Sequence, residues 1–267
     1  MKLGIVISTQ PAKFSAALFQ ADLERAVARV AELGYDGVEL AVRDPALLDA
    51  EALKRLLDSQ GLAVPAIGTG QAWGEEGLSI SDPDEVLRER ALRRLEDHLN
   101  LAPTFGAQVI VGLIRGRLRE DTAQEQREWT VRTLRHCARL AARRGVGLLL
   151  EPINRYETNF INTVQEALAF CEKVGEPNLG LLFDTFHANI EEPSIEESIR
   201  ACASRLGHVH VADSNRWAPG RGHVNFGSVV ATLRAIGYDG WLSAEILPKP
   251  SCDAAAAQTI QHLRKLL

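Results

Sequence analysis

Short apolar runs alternate with longer amphipathic segments along almost the whole chain. Eight runs rich in leucine and β-branched residues predict strands at 3–8, 37–40, 63–68, 108–114, 146–151, 179–184, 208–213 and 241–246. Helical periodicity is strongest at 22–33, 84–102, 128–144 and 194–206. Strands that are apolar throughout, each followed by an amphipathic helix, are typical of a parallel sheet covered by helices. The pattern therefore predicts an α/β fold.

The number of units separates two parallel-sheet architectures. Eight strand–helix units in 267 residues leave roughly 33 residues for each, the size expected in a (β/α)8 barrel. A doubly wound open sheet usually carries a G-x-G-x-x-G turn after its first strand, whereas this chain has STQPAKF there. We therefore predict a single-domain (β/α)8 TIM barrel over residues 1–267. Pro103 is expected to end or kink the helix that contains it.

Composition and charge narrow the class of protein further. The chain carries 30 Lys and Arg against 35 Asp and Glu, a formal net charge of −5, whereas a nucleic-acid-binding protein normally presents a basic face. The apolar run at the N-terminus is too short for a signal peptide, and no stretch reaches the roughly 20 apolar residues of a membrane span. The four cysteines are scattered singly, as in proteins of a reducing compartment. We expect a cytoplasmic protein that binds neither nucleic acid nor a membrane.

Polar side chains stand at the carboxyl ends of four consecutive predicted strands. Three of these strands end on an acid: Glu151 follows LLL, Asp184 follows LLF, and Glu245 follows LSA. The strand between the last two contains His208-Val-His210. Because the active site of a barrel lies at the carboxyl ends of its strands, these side chains are expected at one rim. A single acid at a strand end is more often a helix cap or an ion-pair partner, but four polar strand ends in succession favour a shared site.

Three converging carboxylates require a cation. At the low effective dielectric of a barrel rim they would otherwise repel one another strongly. Three oxygen ligands and one imidazole nitrogen suit Mn²⁺, Mg²⁺ or Co²⁺ better than a thiolate-type zinc site. His208 and His210 point to the same face of their strand, and His210 is nearer the carboxyl end. The sequence therefore predicts His210 as the ligand and His208 as a packed or supporting residue.

The segments that carry these residues resemble a known family. LLLEPINRYETNFINT, LGLLFDTFHANIEE, GHVHVADSNRWAPGRGHVNF and GYDGWLSAEIL are similar to the sugar isomerases and epimerases, xylose isomerase-like TIM barrels that include the D-tagatose and D-psicose 3-epimerases. The likeness covers nearly the whole chain and is most specific from Glu151 to Glu245. VISTQ, ELAVRDP, AIGTGQAW and GLIRGR are closer to the 5-keto-L-gluconate epimerases, a subgroup that acts on keto sugar acids.

The resemblance implies a role for each matching position. It implies that one divalent ion, usually Mn²⁺, is bound by Glu151, Asp184, His210 and Glu245. Glu151 and Glu245 would also act as the acid/base pair. It implies substrate contacts from Glu157, His187 and Arg216, and a homodimer or homotetramer. One departure is visible: the family usually has Asp where this chain has Asn225, which puts only a supporting role in doubt.

The chemistry expected of such a site leaves several reactions open. A proton next to a ketone is weakly acidic, and its removal is easier when a cation neutralises the developing enediolate charge. Inversion at that carbon needs one acid/base group on each face of the substrate. We predict an epimerase acting on a keto sugar or keto sugar acid of the 5-keto-L-gluconate or D-tagaturonate type. The alternatives are a ketose 3-epimerase, an aldose–ketose isomerase of the hydroxypyruvate isomerase type, and an inosose dehydratase-type lyase.

Three further strand-end residues bear on the substrate. Arg43 and Arg115 follow the second and fourth predicted strands, and a guanidinium pairs well with a carboxylate. One of them is expected to meet the carboxylate of a keto sugar acid, unless it pairs with Asp44 or a loop acid. Trp73, in the glycine-rich loop after the third strand, is expected to stack on the sugar or simply to pack. The same alternatives apply to Phe14 in the first loop.

Overall fold

The computed structural model describes residues 1–13, 15–19 and 22–267, and eight parallel strands in these ranges close into a barrel. Each strand pairs with the next along the chain, and the last pairs with the first. The strands are β1 (Lys2–Ser8), β2 (Gly37–Ala41), β3 (Ala66–Gly68), β4 (Gln108–Val111), β5 (Leu148–Leu150), β6 (Leu179–Asp184), β7 (Leu206–Val211) and β8 (Trp241–Ala244). The predicted (β/α)8 TIM barrel is confirmed.

Helices connect the strands on the outside of the barrel. Within the described ranges they are α1 (Leu23–Glu32), α2 (Ala50–Ser59), α3 (Gly70–Glu76), α4 (Glu85–Phe105), α5 (Ala123–Arg143), α6 (Val164–Val174), α7 (Thr185–Glu191), α8 (Ile195–Ala201), α9 (Phe226–Ala235) and α10 (Cys252–Arg264). None of these helices is both long enough and apolar enough to cross a bilayer.

Several predicted ends of strands and helices were wrong; for example, β3 begins at Ala66 rather than at 63, and β7 covers Leu206–Val211 rather than 208–213. Helix α4 does not end at Pro103 but runs on to Phe105. Because Pro103 lies in the last turn, its missing N–H costs the helix a single backbone bond, and Gly106, at φ 65°, then ends it. Strand β4 stops at Val111 rather than at 114, since the chain turns there into a 3-10 helix at Leu113–Arg115.

The inside of the barrel is polar towards its carboxyl end. The main apolar core lies between the strands and the helices. A separate cluster of Ala66, Ile110, Leu149 and Leu182 comes from the opposite faces of β3–β6, which point inwards. The inward faces of β2 and β7 carry Glu39, His208 and His210 instead, each at most 2% exposed. Buried charge in a barrel interior requires partners, and these residues provide them for one another.

Candidate active site and metal centre

The four predicted strand-end residues meet at one rim of the barrel. Glu151 and Glu245 are the first residues beyond β5 and β8, Asp184 ends β6, and His210 lies one residue from the end of β7. His210 Nδ1 lies 3.6 Å from Asp184 Oδ2 and 3.7 Å from Glu151 Oε1. Potential ligand atoms of Asp184, His210 and Glu245 all fall within 4.8 Å of one another. The structure therefore brings together all four residues that the strand-end pattern singled out.

Two buried atoms in this group lack the hydrogen bonds expected of them. Within the described chain, Asp184 Oδ2 and His210 Nδ1 are both inaccessible and have no hydrogen-bond partner. Asp184 Oδ1, in contrast, caps α7 by accepting from the backbone N–H groups of Phe186 and His187. An unpaired buried acceptor is costly, and a cation between these two atoms would satisfy both. The donor set thus fits a divalent metal ion.

Glu39 explains which nitrogen of His210 faces the group, and sequence reasoning missed it. Its carboxylate accepts from His210 Nε2 at 2.9 Å and from His208 Nε2 at 2.8 Å. The contact with Glu39 directs His210 Nδ1 towards the carboxylates, and a neutral imidazole that binds a metal through Nδ1 keeps its one hydrogen on Nε2, where Glu39 would accept it. The supporting role predicted for His208 agrees with this contact. The one signal in the sequence was an acid inside the apolar strand GVEL.

The charges around the group alter the protonation of its members. Burial opposes a charge on His210, but Glu39, Asp184 and Glu151 raise its pKa well above the ordinary histidine value. Burial also opposes a charge on Asp184 and so raises the pKa of its carboxyl. The neighbouring His187 and His210 lower this pKa by more, to below the ordinary aspartate range. The site is therefore one in which buried carboxylates require positive charge beside them.

Glu245 behaves differently from Asp184. Burial raises the pKa of its carboxyl to about 7, against the opposing effect of Arg216. Arg216 donates to Glu245 Oε2 at 2.5 Å and to Glu157 Oε1 at 2.8 Å. A carboxyl whose pKa lies near neutrality can both give and take a proton, which is what an acid/base group needs.

A buried carboxylate organises the loop that carries Arg216. Asp213 is fully buried and accepts from the backbone N–H groups of Ser214, Gly220, Arg221 and Val224. The chain turns sharply within this loop, where Arg216 has a φ of 61°. We attribute the position of Arg216 to this carboxylate, because its four charge-assisted hydrogen bonds hold the backbone of the loop directly after β7.

The site opens into a cavity of about 290 Å³. Glu151 and Glu245 line it, as do Glu157, His187, Arg216 and Trp73, so every substrate contact implied by the family resemblance faces the same space. Phe14 lies outside the described residues. A concave, largely apolar pocket with a few convergent polar groups is typical of a small-molecule site.

A family model described as a xylose isomerase-like TIM barrel matches residues 27–266. The chain belongs to that family. It is 34% identical over 235 residues to the L-ribulose 3-epimerase of Mesorhizobium japonicum, covering 87% of this chain and 78% of that protein. It is 31% identical over 228 residues to the 3-dehydro-D-guloside 4-epimerase of Escherichia coli, covering 81% and 84%. The crystal structure of D-allulose 3-epimerase from Methylomonas sp. in complex with D-allulose matches 100% of this chain and 97% of that one, with a TM-score of 0.86 and 28% identity.

This xylose isomerase-like protein is therefore an enzyme of the isomerase and epimerase class. Its departure from the usual family pattern has a local explanation. Asn225 caps α9, accepting from the backbone N–H of Ser228 at 3.1 Å. An asparagine oxygen caps a helix about as well as an aspartate oxygen does, so the substitution leaves this contact intact.

The structure corrects the predicted role of Arg115 in this xylose isomerase-like barrel. Arg115 is fully buried, and its guanidinium donates to the backbone oxygens of Phe160, Gly112 and Ile161. Arg115 is not among the residues that line the cavity. Each of its three guanidinium nitrogens thus donates to a backbone oxygen, and Arg115 joins the loop after β4 to the loop after β5.

Arg43 is also directed away from the cavity. Its Nε lies 3.8 Å from Glu76 Oε1, and it is not among the residues that line the cavity. Glu76 further receives a bidentate contact from Arg94. The alternative in which Arg43 pairs with a neighbouring acid therefore describes its position, and the expected contact with a substrate carboxylate does not.

Proposed function

We propose that the protein is a divalent-cation-dependent epimerase that inverts the carbon next to the ketone of a keto sugar. Glu151, Asp184, His210 and Glu245 would hold the cation, and Glu151 and Glu245 would move the proton. The observation that carries the proposal is the pair of unpartnered buried atoms, Asp184 Oδ2 and His210 Nδ1, between two glutamates that line the cavity.

The two glutamates suit a two-base reaction. They follow β5 and β8, three strands apart around the rim, and both line the cavity. A sugar lying across the cavity would therefore have one glutamate on each side. One carboxylate takes the proton from one face, and the other carboxyl returns a proton to the opposite face. A cation bound at this site would supply charge neutralisation for the oxygen of the ketone. Two opposed carboxyl groups favour inversion over transfer of a hydrogen along the chain.

Charge around the cavity favours an uncharged keto sugar over a keto sugar acid. Arg43 and Arg115 are engaged elsewhere, and Arg216 is flanked by two carboxylates. Among the described lining residues, the remaining Lys or Arg is Lys13, whose side chain is 85% exposed and lies 3.9 Å from Glu75. Among the lining residues that the structure describes, a substrate carboxylate would therefore meet no Lys or Arg that is both buried and available. A 5-keto-L-gluconate type of substrate remains a prediction for the same experiment to test.

Exchange in D₂O tests the proposal directly. Protein loaded with Mn²⁺, Mg²⁺ or Co²⁺ is incubated with L-ribulose, D-allulose or 5-keto-L-gluconate, and the products are analysed by NMR. We expect deuterium at the carbon next to the ketone together with the epimeric ketose, and faster turnover of the neutral sugars. An aldose product would support the isomerase alternative, and loss of water would support the lyase. Absence of exchange with every metal and sugar would contradict the proposal.

Single substitutions test the two-base assignment. Glu151→Gln and Glu245→Gln should each lower epimerisation by roughly 10²–10⁴-fold, the usual contribution of a general acid or base. Each variant retains one base, so it should still exchange the proton of one epimer without inverting it. Glu176→Gln, which changes an ion pair with Arg139 at the surface, is the matched control. Full epimerase activity in either site variant would rule out two bases.

A further inference from the structure

Asn154 is a buried residue that joins two parts of the cavity wall, the loop after β5 and helix α7. It is 1% exposed and lies in the loop after β5, four residues before Thr158. Its Nδ2 lies 2.7 Å from His187 Nδ1 and 3.0 Å from Glu157 Oε1. Its Oδ1 accepts from the backbone N–H of Tyr156 at 3.0 Å. One amide group thus contacts two residues that line the cavity.

These contacts determine the orientation of the amide. The backbone N–H of Tyr156 can only donate, so it requires the oxygen of Asn154. The Glu157 carboxylate accepts, so it requires the nitrogen. The opposite orientation would place oxygen against oxygen and N–H against N–H. The NH₂ group must therefore face His187.

The orientation of Asn154 decides which nitrogen of His187 carries hydrogen. Because the NH₂ group of Asn154 donates to Nδ1, this nitrogen must be bare, and the hydrogen of the neutral ring is on Nε2. His187 Nε2 lies 3.8 Å from Glu151 Oε1 and 3.9 Å from Asp184 Oδ2, and His187 lines the cavity. The N–H of His187 is therefore directed towards the proposed site of reaction.

The two histidines of the site are thus held in opposite forms. In the metal-bound protein Glu39 would accept from His210 Nε2, so that a bare Nδ1 faces the carboxylates. Asn154 donates to His187 Nδ1 and leaves a hydrogen on Nε2. A metal-bound imidazole needs a bare nitrogen towards the metal and a hydrogen on the other one. By distance His187 Nε2 could join Glu151 and Asp184 around an ion, but its hydrogen is on that nitrogen.

We infer that Asn154 is a positioning residue that keeps His187 off the metal and presents its Nε2–H to an oxygen of the substrate. The inference rests on the proposed function for the identity of that substrate, an oxygen-rich keto sugar. Asn154 also orients Glu157, which receives Arg216 on the same oxygen. A single buried amide thereby fixes a donor, His187, and an acceptor, Glu157, on the same wall of the cavity.

Nitrogen-15 NMR of the Mg²⁺-loaded protein tests the inference without turnover. Long-range ¹H–¹⁵N correlation separates the bare ring nitrogen of a neutral histidine from the protonated one, and a His187→Gln spectrum assigns the signals. We expect Nδ1 of His187 to be bare and Nε2 to carry the hydrogen. A hydrogen on Nδ1 in the wild-type protein would overturn the inference. Wild-type protein that turns over no keto sugar would overturn the proposed function while this spectrum still decides the form of His187.

Asn154→Asp separates the donor role from a role in folding the loop. Aspartate keeps an oxygen for the N–H of Tyr156 but replaces the NH₂ group with an acceptor. We expect His187 Nδ1 to gain a hydrogen and, because the new carboxylate also repels Glu157, KM for the keto sugar to rise about tenfold or more. Asn159→Asp, the same change at an exposed position of this loop, should leave the spectrum and KM unchanged. A His187 spectrum and a KM that are both unchanged in Asn154→Asp would contradict the inference.

Discussion

At the scale of single residues, the site depends on which groups surround each ligand. Asp184 Oδ1 caps a helix, whereas Oδ2 lies without a hydrogen-bond partner in the proposed metal site. His210 is oriented by Glu39 on one side and meets two carboxylates on the other. Glu151 lies so close to the backbone of Gly112 that no side chain fits between them. These outer contacts set the geometry that the metal would meet.

The first prediction concerns Glu39, the carboxylate that accepts a hydrogen bond from His210 Nε2. In Glu39→Gln the charge that orients and polarises His210 is lost, so Mn²⁺ affinity measured by calorimetry should fall by about 10–100-fold. Glu96→Gln is a matched control, because Glu96 also accepts from a histidine, His136 at 2.8 Å, but at the surface. Equal Mn²⁺ affinity in the two variants would refute the role given to Glu39.

The second prediction concerns Gly112. A Cβ at this position would lie 2.7 Å from Glu151 Oε2, so Gly112→Ala must displace the carboxylate. Since a displacement of about 1 Å at a reacting group can cost around 10²-fold in rate, we expect a fall in kcat of that order. Gly74→Ala, with no atom within 4 Å of the new Cβ, should leave Glu151 in its wild-type position. A crystal structure of Gly112→Ala with Glu151 unmoved and normal kcat would contradict the account.

Sequence reasoning reached the residues at strand ends because the barrel places all strand ends at one rim. The strand-end pattern did not identify Glu39, because this residue lies inside its strand and its partners come from β7, on another side of the barrel. Asn154 escaped it because its role depends on the orientation of an amide within a loop. Contacts of this kind depend on side-chain directions that spacing along the chain does not encode.

At the scale of elements, the loops after the strands decide which side chains reach the cavity. The loop after β7 brings Arg216 to Glu157 and Glu245. Arg115, in the 3-10 helix after β4, instead donates to the backbone of the loop after β5. Both arginines follow an apolar strand, so their different roles could not be read from that pattern. The strands and most helices could be predicted, because periodicity reports burial directly.

The loop after β7 supports the third prediction. Asp213→Asn leaves one oxygen able to accept, so about half of the four N–H contacts are lost. We expect faster amide hydrogen exchange across residues 214–224 and a higher KM, because Arg216 is no longer held towards Glu157. Asp239→Asn, at an exposed position, provides the control. Unchanged exchange in this loop would show that Asp213 does not organise it.

At the scale of the whole molecule, the barrel brings several buried carboxylates together, and positively charged side chains must offset their negative charge. Glu39, Glu151, Asp184 and Glu245 all have side chains no more than 14% exposed. Their charges are opposed by His210 and Arg216, which come from β7 and the loop after it. Stability of the metal-free protein should therefore depend on pH in a way that the metal-bound protein does not share.

The pH dependence of metal-free protein is the fourth prediction. Burial raises the pKa of Glu245 from 4.5 in the unfolded chain to about 7 in the folded protein. Between pH 4.5 and 7 the folded state therefore binds more protons than the unfolded state. The contribution of Glu245 to the free energy of unfolding thus falls as the pH rises. Glu245→Gln cannot ionise, so its Tm relative to wild type should increase from pH 4.5 to 7, by on the order of 5 °C. A Tm difference between Glu245→Gln and wild type that does not change with pH would contradict the raised pKa of Glu245.

The most direct test of the central claim is an anomalous diffraction map of crystals soaked in Mn²⁺, recorded at the manganese edge. We predict one strong peak within bonding distance of His210 Nδ1 and of carboxylate oxygens from Glu151, Asp184 and Glu245, with His187 Nε2 outside the coordination sphere. A peak bound through His187 instead of His210, or no peak at this rim, would contradict the account.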